Sequence, residues 1–135
     1  TRERIADRRA IHSIAAKKRG IKKAVKLDPA QIEKNPDVLH PIARTHPITG
    51  RKSIFVTADE CTGIEGLEDS EARPLIDELA AHVIKPEFQY RHSWRVGDLL
   101  VWDNAAVQHV VDRDYEWPRD RRLLHRITVN GSASF

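Results

Sequence analysis

The run Leu99-Leu100-Val101-Trp102-Asp103-Asn104, then Gln108-His109, then Arg121-Arg122-Leu123-Leu124-His125-Arg126-Ile127-Thr128-Val129, decides how this 135-residue chain reads. Its apolar stretches are short, rich in β-branched residues, and broken by Asp-Asn and by a charged loop over residues 112–121. That texture predicts strands rather than helices. It gives a β meander with a short buried strand over 99–102, extended chain over 105–111 and a last strand with its core at 123–129. Just upstream, Phe88-Gln89-Tyr90-Arg91-His92-Ser93-Trp94 alternates. Phe88, Tyr90, His92 and Trp94 then share one face of a further strand, and Arg95-Val96-Gly97-Asp98 turns out of it.

Side chains two apart on a strand point to the same face. Arg122, Leu124 and Arg126 therefore share a face, and His125 points the other way. A neutral imidazole such as that of His109 is a good ligand for divalent iron. Arginine is the side chain suited to gripping a carboxylate or sulfonate through two parallel hydrogen bonds. One histidine beside two same-face arginines therefore suits a metal site that receives two anionic molecules.

Further upstream, Val38 to His46 reads as extended, Pro47-Ile48-Thr49-Gly50 as a turn, and Lys52 to Thr57 as a second strand, which makes a β-hairpin. Residues 58–69 contain Gly63 and Gly66 and read as a loop. Ser70 is an N-cap candidate for an amphipathic helix from Glu71 to Val83, with Leu75, Ile76, Leu79, Ala80 and Val83 on its apolar face, stopped by Lys85-Pro86. Asp28-Pro29 has the form of a helix start, and Asn35-Pro36 ends that short turn. Residues 3–26 read as a helix, with Ile5, Ala6, Ile11, Ile14, Ala15 and Ala24 in one stripe and Gly20 as a weak point.

The net charge of +3 is uneven. Residues 1–26 carry ten Lys or Arg against Glu3 and Asp7, a net of +8, and the rest of the chain is −5. No aromatic residue interleaves the basic ones, so base stacking has no platform and nucleic acid is not an expected partner. No apolar run is long enough to span a membrane, and no secretory signal is visible at Thr1. The lone Cys61 excludes an internal disulfide framework and fits the cytoplasm. A lone cysteine in a loop is more often inert than nucleophilic. The seven histidines include no His-x-Asp/Glu pair, and the chain has no His-Glu-x-x-His, Cys-x-x-Cys, Walker loop or Gly-x-Ser-x-Gly.

One ordered set of motifs remains. It comprises His40-Pro41-Ile42-Ala43-Arg44-Thr45-His46-Pro47-Ile48-Thr49-Gly50-Arg51-Lys52, Lys85-Pro86-Glu87-Phe88, Trp94-Arg95-Val96-Gly97-Asp98, Trp102-Asp103-Asn104, Gln108-His109 and Arg121 to Arg126. In this order it resembles the C-terminal half of the taurine dioxygenase/2,4-dichlorophenoxyacetate dioxygenase family, from about residue 36 to residue 130. The resemblance implies an α+β, mainly β fold, part of a distorted double-stranded β-helix (jelly roll) with flanking helices. It places residues 1–135 in a single domain that is the C-terminal half of a larger one, with a basic helical segment at 1–35 and a β-rich part at 36–135.

The resemblance also implies a non-haem iron(II) oxygenase that takes 2-oxoglutarate and dioxygen. Decarboxylation to succinate would be coupled to hydroxylation of a small anionic organic substrate: a sulfonate, sulfate ester or aryloxyalkanoate. His109 resembles the family's downstream iron ligand. Arg122 resembles the residue that grips the distal carboxylate of 2-oxoglutarate, and Arg126 the one that meets the substrate's anion. Trp102-Asp103-Asn104 resembles the turn that aims the ligand. The family's upstream His-x-Asp pair and 2-oxoglutarate Thr have no counterpart here. The chain alone is therefore expected to be inactive, with a missing half or a partner chain supplying the other ligands; oligomeric state is open. A tight iron on this chain alone would have to draw on His40, His46, His92 or nearby carboxylates. The rival from another class is a non-catalytic binding or interaction module derived from that fold, and a third reading is a structural remnant.

Overall fold

In the computed structural model, residues 2–14, 28–104, 106–112, 115–116 and 118–129 are described. The core is built where the sequence reading is least strand-like. A short helix, α1 (Arg2–Ile5), leads into strand β1 (Arg9–His12). Strands β2 (Val38–Pro41) and β5 (Cys61–Ile64) flank β1 in a three-stranded antiparallel sheet of order β2-β1-β5. Ala10 faces His40 on one side and Ile64 on the other, and it is fully buried. The helix expected over 3–26 is thus corrected at Arg9–His12; residues 15–27 lie outside the described residues. Helix propensity is worth tenths of a kcal/mol per residue, and a strand paired on both edges gives its backbone groups ladder partners while burying Ala10.

The loop expected over 58–69 is corrected in the same way, because Cys61–Ile64 is the third strand of that sheet. Its pairing with β1 shifts register between Ile11 and His12, so Thr62 is the extra residue of a β-bulge. Gly63 sits opposite Ile11, where an added Cβ would meet the Ile11 side chain at 3.4 Å.

The expected hairpin is present in shortened form, because Val38–Pro41 of its first arm pairs with β1 instead. Strand β3 (Ala43–Thr45) pairs antiparallel with β4 (Lys52–Ile54), with Thr45 opposite Lys52. The turn closes through His46 N–H to Arg51 O at 2.8 Å and Gly50 N–H to His46 O at 2.9 Å. Gly50 has φ +66°, which an L side chain adopts only at a cost. Ile42 joins the two sheets: its N–H donates to Arg8 O at 3.0 Å, and its carbonyl accepts from Phe55 N–H at 2.8 Å. Its side chain is fully buried.

Short helix α2 (Pro29–Glu33) begins as its sequence predicts, with the Asp28 carboxylate accepting from Ala30 N–H at 3.1 Å. The long helix is α3 (Asp69–Val83). It starts before Ser70, with Glu68 at the N-cap position and no side-chain cap. Ala72, Leu75, Ile76 and Leu79 are buried at the i, i+3, i+4, i+7 spacing of one apolar face. That face covers Ile64, Cys61 and Val56 and closes the core. Fully burying a side chain such as Leu75, Ile76, Leu79 or Ile64 stabilises the fold by roughly 1.5–3 kcal/mol. A 3₁₀ turn (Pro86–Phe88) follows.

The β meander does not form among the described residues. Among the described residues, no strand ladder includes any of residues 89–129. The run 99–102 is not a buried strand: Leu99 is 88% exposed and Val101 81%. A strand exists through its neighbours, and alternation in the sequence cannot supply them. The mainly β character therefore holds as far as Ile64, and the described architecture is α+β with two small antiparallel sheets. The turn at Arg95–Asp98 does form, held by Arg95 N–H to Asp98 Oδ2 at 2.9 Å and by His92 Nε2 to the same oxygen at 3.1 Å. No helix among the described residues is long and apolar enough to cross a membrane.

Candidate functional site

A cleft of about 190 Å³ opens where the strap carrying His109 crosses the end of β4. Phe55, Val56 and Val107 form its apolar wall. His12, Thr57, Glu60, Asn104, Gln108 and His109 bring polar groups to it. His109 thus faces a cavity, and it is the one sequence-predicted site residue that does. Arg122 and Arg126 are exposed, do not line this cleft, and make no ion pair with another described residue.

His109 is placed by side chains rather than by a ladder. Asp103 C=O accepts from Ala106 N–H at 3.1 Å and Val107 N–H at 3.0 Å, which makes the turn before it. Trp102 Nε1 donates to Asn104 Oδ1 at 2.8 Å, and the Trp102 ring lies 5.0 Å from that of His109. Gln108 Nε2 donates to Val56 O at 2.7 Å, fixing the strap to the end of the hairpin. His46 Nε2 meets Asp103 Oδ2 at 2.7 Å.

His12 was hidden from the sequence reading by the helix assigned there. Its ring stacks on Phe55 at 5.2 Å and meets His40 edge-on at 5.1 Å, and Nε2 lies 3.5 Å from Cys61 Sγ. The one signal that could have found it is the β-branched Ile11 and Ile14 around it, which suit a strand as well as a helix. Burial holds the His12 ring below the ordinary histidine value, and the neighbouring His40 pushes it further; Glu60 and a hydrogen bond to the Phe55 backbone oppose this. Burial and then the Arg44 charge lower His40. Burial pushes the Cys61 thiol up, so it stays protonated.

The sign of the pH dependence follows. A histidine lowered in the fold binds its proton more readily when unfolded, so the native state loses stability as pH falls below 6.5, the ordinary histidine value. A thiol raised in the fold weakens the native state as pH rises past its ordinary 9.0. Urea midpoints measured against pH should therefore plateau between these values and drop on the acid side. His12→Phe together with His40→Phe should flatten the acid drop; an unchanged profile would refute the assignment.

The family resemblance implies an iron(II) cofactor with 2-oxoglutarate and dioxygen as co-substrates, and such an iron needs a converging donor set. Among the described residues, no three His, Cys, Asp or Glu side chains converge closely enough to hold one. His12 is engaged by Cys61, His46 by Asp103 and His92 by Asp98. His109 offers one imidazole where an iron of this kind needs three protein ligands. The described residues therefore do not fit a complete iron site.

The chain matches the family described as taurine catabolism dioxygenase TauD, TfdA family over residues 1–128, and it belongs to that family. Its members are iron(II)- and 2-oxoglutarate-dependent dioxygenases. Over 96 residues the chain is 46% identical to the alpha-ketoglutarate-dependent 2,4-dichlorophenoxyacetate dioxygenase of Burkholderia sp. (strain RASC), covering 71% of this chain and 31% of that protein. A Burkholderia xenovorans structure assigned as an alpha-ketoglutarate dependent 2,4-D dioxygenase is similar at TM-score 0.71 and 31% identity, over 78% of this chain and 40% of that one. The crystal structure of AAD-2 in complex with Mn(II) and N-oxalylglycine, an analogue of 2-oxoglutarate, is similar at TM-score 0.59 and 29% identity, over 70% of this chain and 36% of that one. The chain spans about a third of the length of the curated relatives it matches.

Proposed function

We propose that these residues are the C-terminal part of an iron(II)- and 2-oxoglutarate-dependent dioxygenase domain that hydroxylates a small anionic organic substrate. An aryloxyalkanoate is the favoured class, on the 46% identity to a 2,4-dichlorophenoxyacetate dioxygenase; sulfonates and sulfate esters are the other classes on which relatives act. The observation that carries the reading is His109 facing a cleft within a chain of this family. His109 would be one metal ligand, and the remaining two come from polypeptide outside these residues. Arg122 would grip the carboxylate of 2-oxoglutarate and Arg126 the anion of the substrate. Both residues are exposed and neither makes an ion pair with another described residue, which leaves both guanidiniums accessible to an anion. The strands expected over 88–129 belong to the jelly roll in this reading, paired with strands from the same outside polypeptide. The exposure of Leu99, Val101 and Ile127, the last at 91%, supports that. A cytoplasmic location goes with the reading.

One observation favours the rival, a non-catalytic module on the same fold: the described residues hold no three-donor metal set. The test compares the 135-residue chain with a polypeptide in which an upstream His-x-Asp part from a relative precedes it. The chain alone should retain well under one iron after desalting and form no succinate from 2-oxoglutarate. The longer polypeptide should retain one iron and form succinate. Succinate from neither, or tight stoichiometric iron on the chain alone, would overturn the proposal.

A further inference from the structure

We propose that His46 is the positioning residue for His109, tying the hairpin turn to the turn that carries His109 into the cleft. The inference deepens the reading above and rests on it for its functional consequence, while the tie itself rests on geometry. Both nitrogens of the His46 ring are used. Nδ1 accepts from the backbone N–H groups of Ile48 at 3.2 Å and Thr49 at 3.1 Å. A ring nitrogen that accepts carries no proton. The hydrogen is therefore on Nε2, which donates to Asp103 Oδ2 at 2.7 Å, a short bond to a charged acceptor. The His46 side chain is 17% exposed, so this bond is partly shielded from water.

None of the described residues from Asp103 to His109 belongs to a ladder, so side-chain anchors fix their position. Among the described residues, two anchors attach this strap to one stretch of chain: His46 holds Asp103, and Val56 O holds Gln108. That stretch is itself anchored in the core through Ile42 and Val56, both fully buried. The Asp103 carbonyl then accepts from Val107 N–H, two residues before His109. A shift of Asp103 is thus passed along a short, hydrogen-bonded turn to the imidazole.

A purely local role, in which His46 only folds its own turn, predicts something different. Asparagine places a polar group where Nδ1 stands, and glutamine places one where Nε2 stands. His46→Asn keeps the turn acceptor and loses Asp103; His46→Gln keeps the donor to Asp103. In the 135-residue chain, two readouts follow the strap: hydrogen exchange at the Val107 amide, and the ring-current shift that Trp102 imposes on His109. His46→Asn and Asp103→Ala should each raise Val107 exchange about three- to tenfold, the loss of one partly shielded charged hydrogen bond, and should collapse the shift. His46→Gln should stay within about twofold of wild type. The Phe55 amide, bonded to Ile42, should be unchanged in all three. The idea is overturned if His46→Gln is as disturbed as His46→Asn, or if Asp103→Ala changes neither readout. Should His46→Asn lose Phe55 protection, Asp103→Asn against Asp103→Ala decides: retention by Asn alone supports the tie, and equality refutes it. Neither readout uses iron or turnover, so failure of His109 as a ligand leaves this result standing, and failure of the tie leaves the ligand test intact.

Discussion

His109→Ala should lower succinate formation by more than about a hundredfold in a polypeptide where an upstream His-x-Asp part precedes this chain. Losing even an outer-shell partner of a metal site commonly costs 10- to 100-fold in affinity or activity. Losing one of three protein ligands should cost more, because the two that remain hold the ion weakly and leave its geometry undefined. His109 faces the cleft at the end of the hairpin, with the Trp102 ring 5.0 Å away and Gln108 pinned to Val56 O beside it. The substitution removes a solvent-reaching ring and no core contact, so the fold should survive, and intact Phe55 amide protection would verify that. His125→Ala is the control, since in the strand proposed with its core at 123–129 the strand period would put it on the opposite face from Arg122 and Arg126. It should keep turnover within about threefold, the scale of an exposed surface change. Full turnover in His109→Ala would remove this histidine from the metal site.

Arg122→Ala and Arg126→Ala should separate the two anions. A charge-assisted, two-point contact to a carboxylate contributes roughly 1.5–3 kcal/mol, or about ten- to a hundredfold in an apparent KM. Arg122→Ala should raise the 2-oxoglutarate KM by that factor, and Arg126→Ala that of the organic substrate, each leaving the other KM nearly unchanged. Arg122→Lys should rescue poorly, because an ammonium lacks the planar fork. Both side chains are exposed in this chain and lie outside the cleft with His109. The measurement therefore belongs in the longer polypeptide, where the strand proposed over 123–129 would have its partners. Equal small changes in all four constants would mean that these are solvated arginines whose ion pairs contribute under about 1 kcal/mol.

Legibility varied element by element. The β3–β4 hairpin was readable because its signals are local: Pro47 and Gly50 in the turn, and strand formers on both sides. Helix α3 was readable because Leu75, Ile76 and Leu79 repeat at helical spacing. Strand β1 was not. Arg9–His12 offers a stripe that a helix would also accept, and its partners Val38–Pro41 and Cys61–Ile64 are far away in sequence. Strand β5 was masked by its own Gly63, which reads as a loop signal until Ile11 is seen across from it.

Of the candidate site, the residue types, their order and the family they resemble were readable along the chain alone, because these are properties of the chain as written. It also determined which side chains would share a face if a strand formed, since that period is covalent geometry. Folding in three dimensions brings His109, His12 and Glu60 to one cleft and leaves Arg122 and Arg126 outside it. It also decided that His46, a metal-ligand candidate on composition alone, spends both ring nitrogens on a turn and on Asp103. The reason is the same in each case. Hydrogen bonds and buried contacts between residues far apart in the chain depend on which segments meet, and no local pattern encodes that meeting.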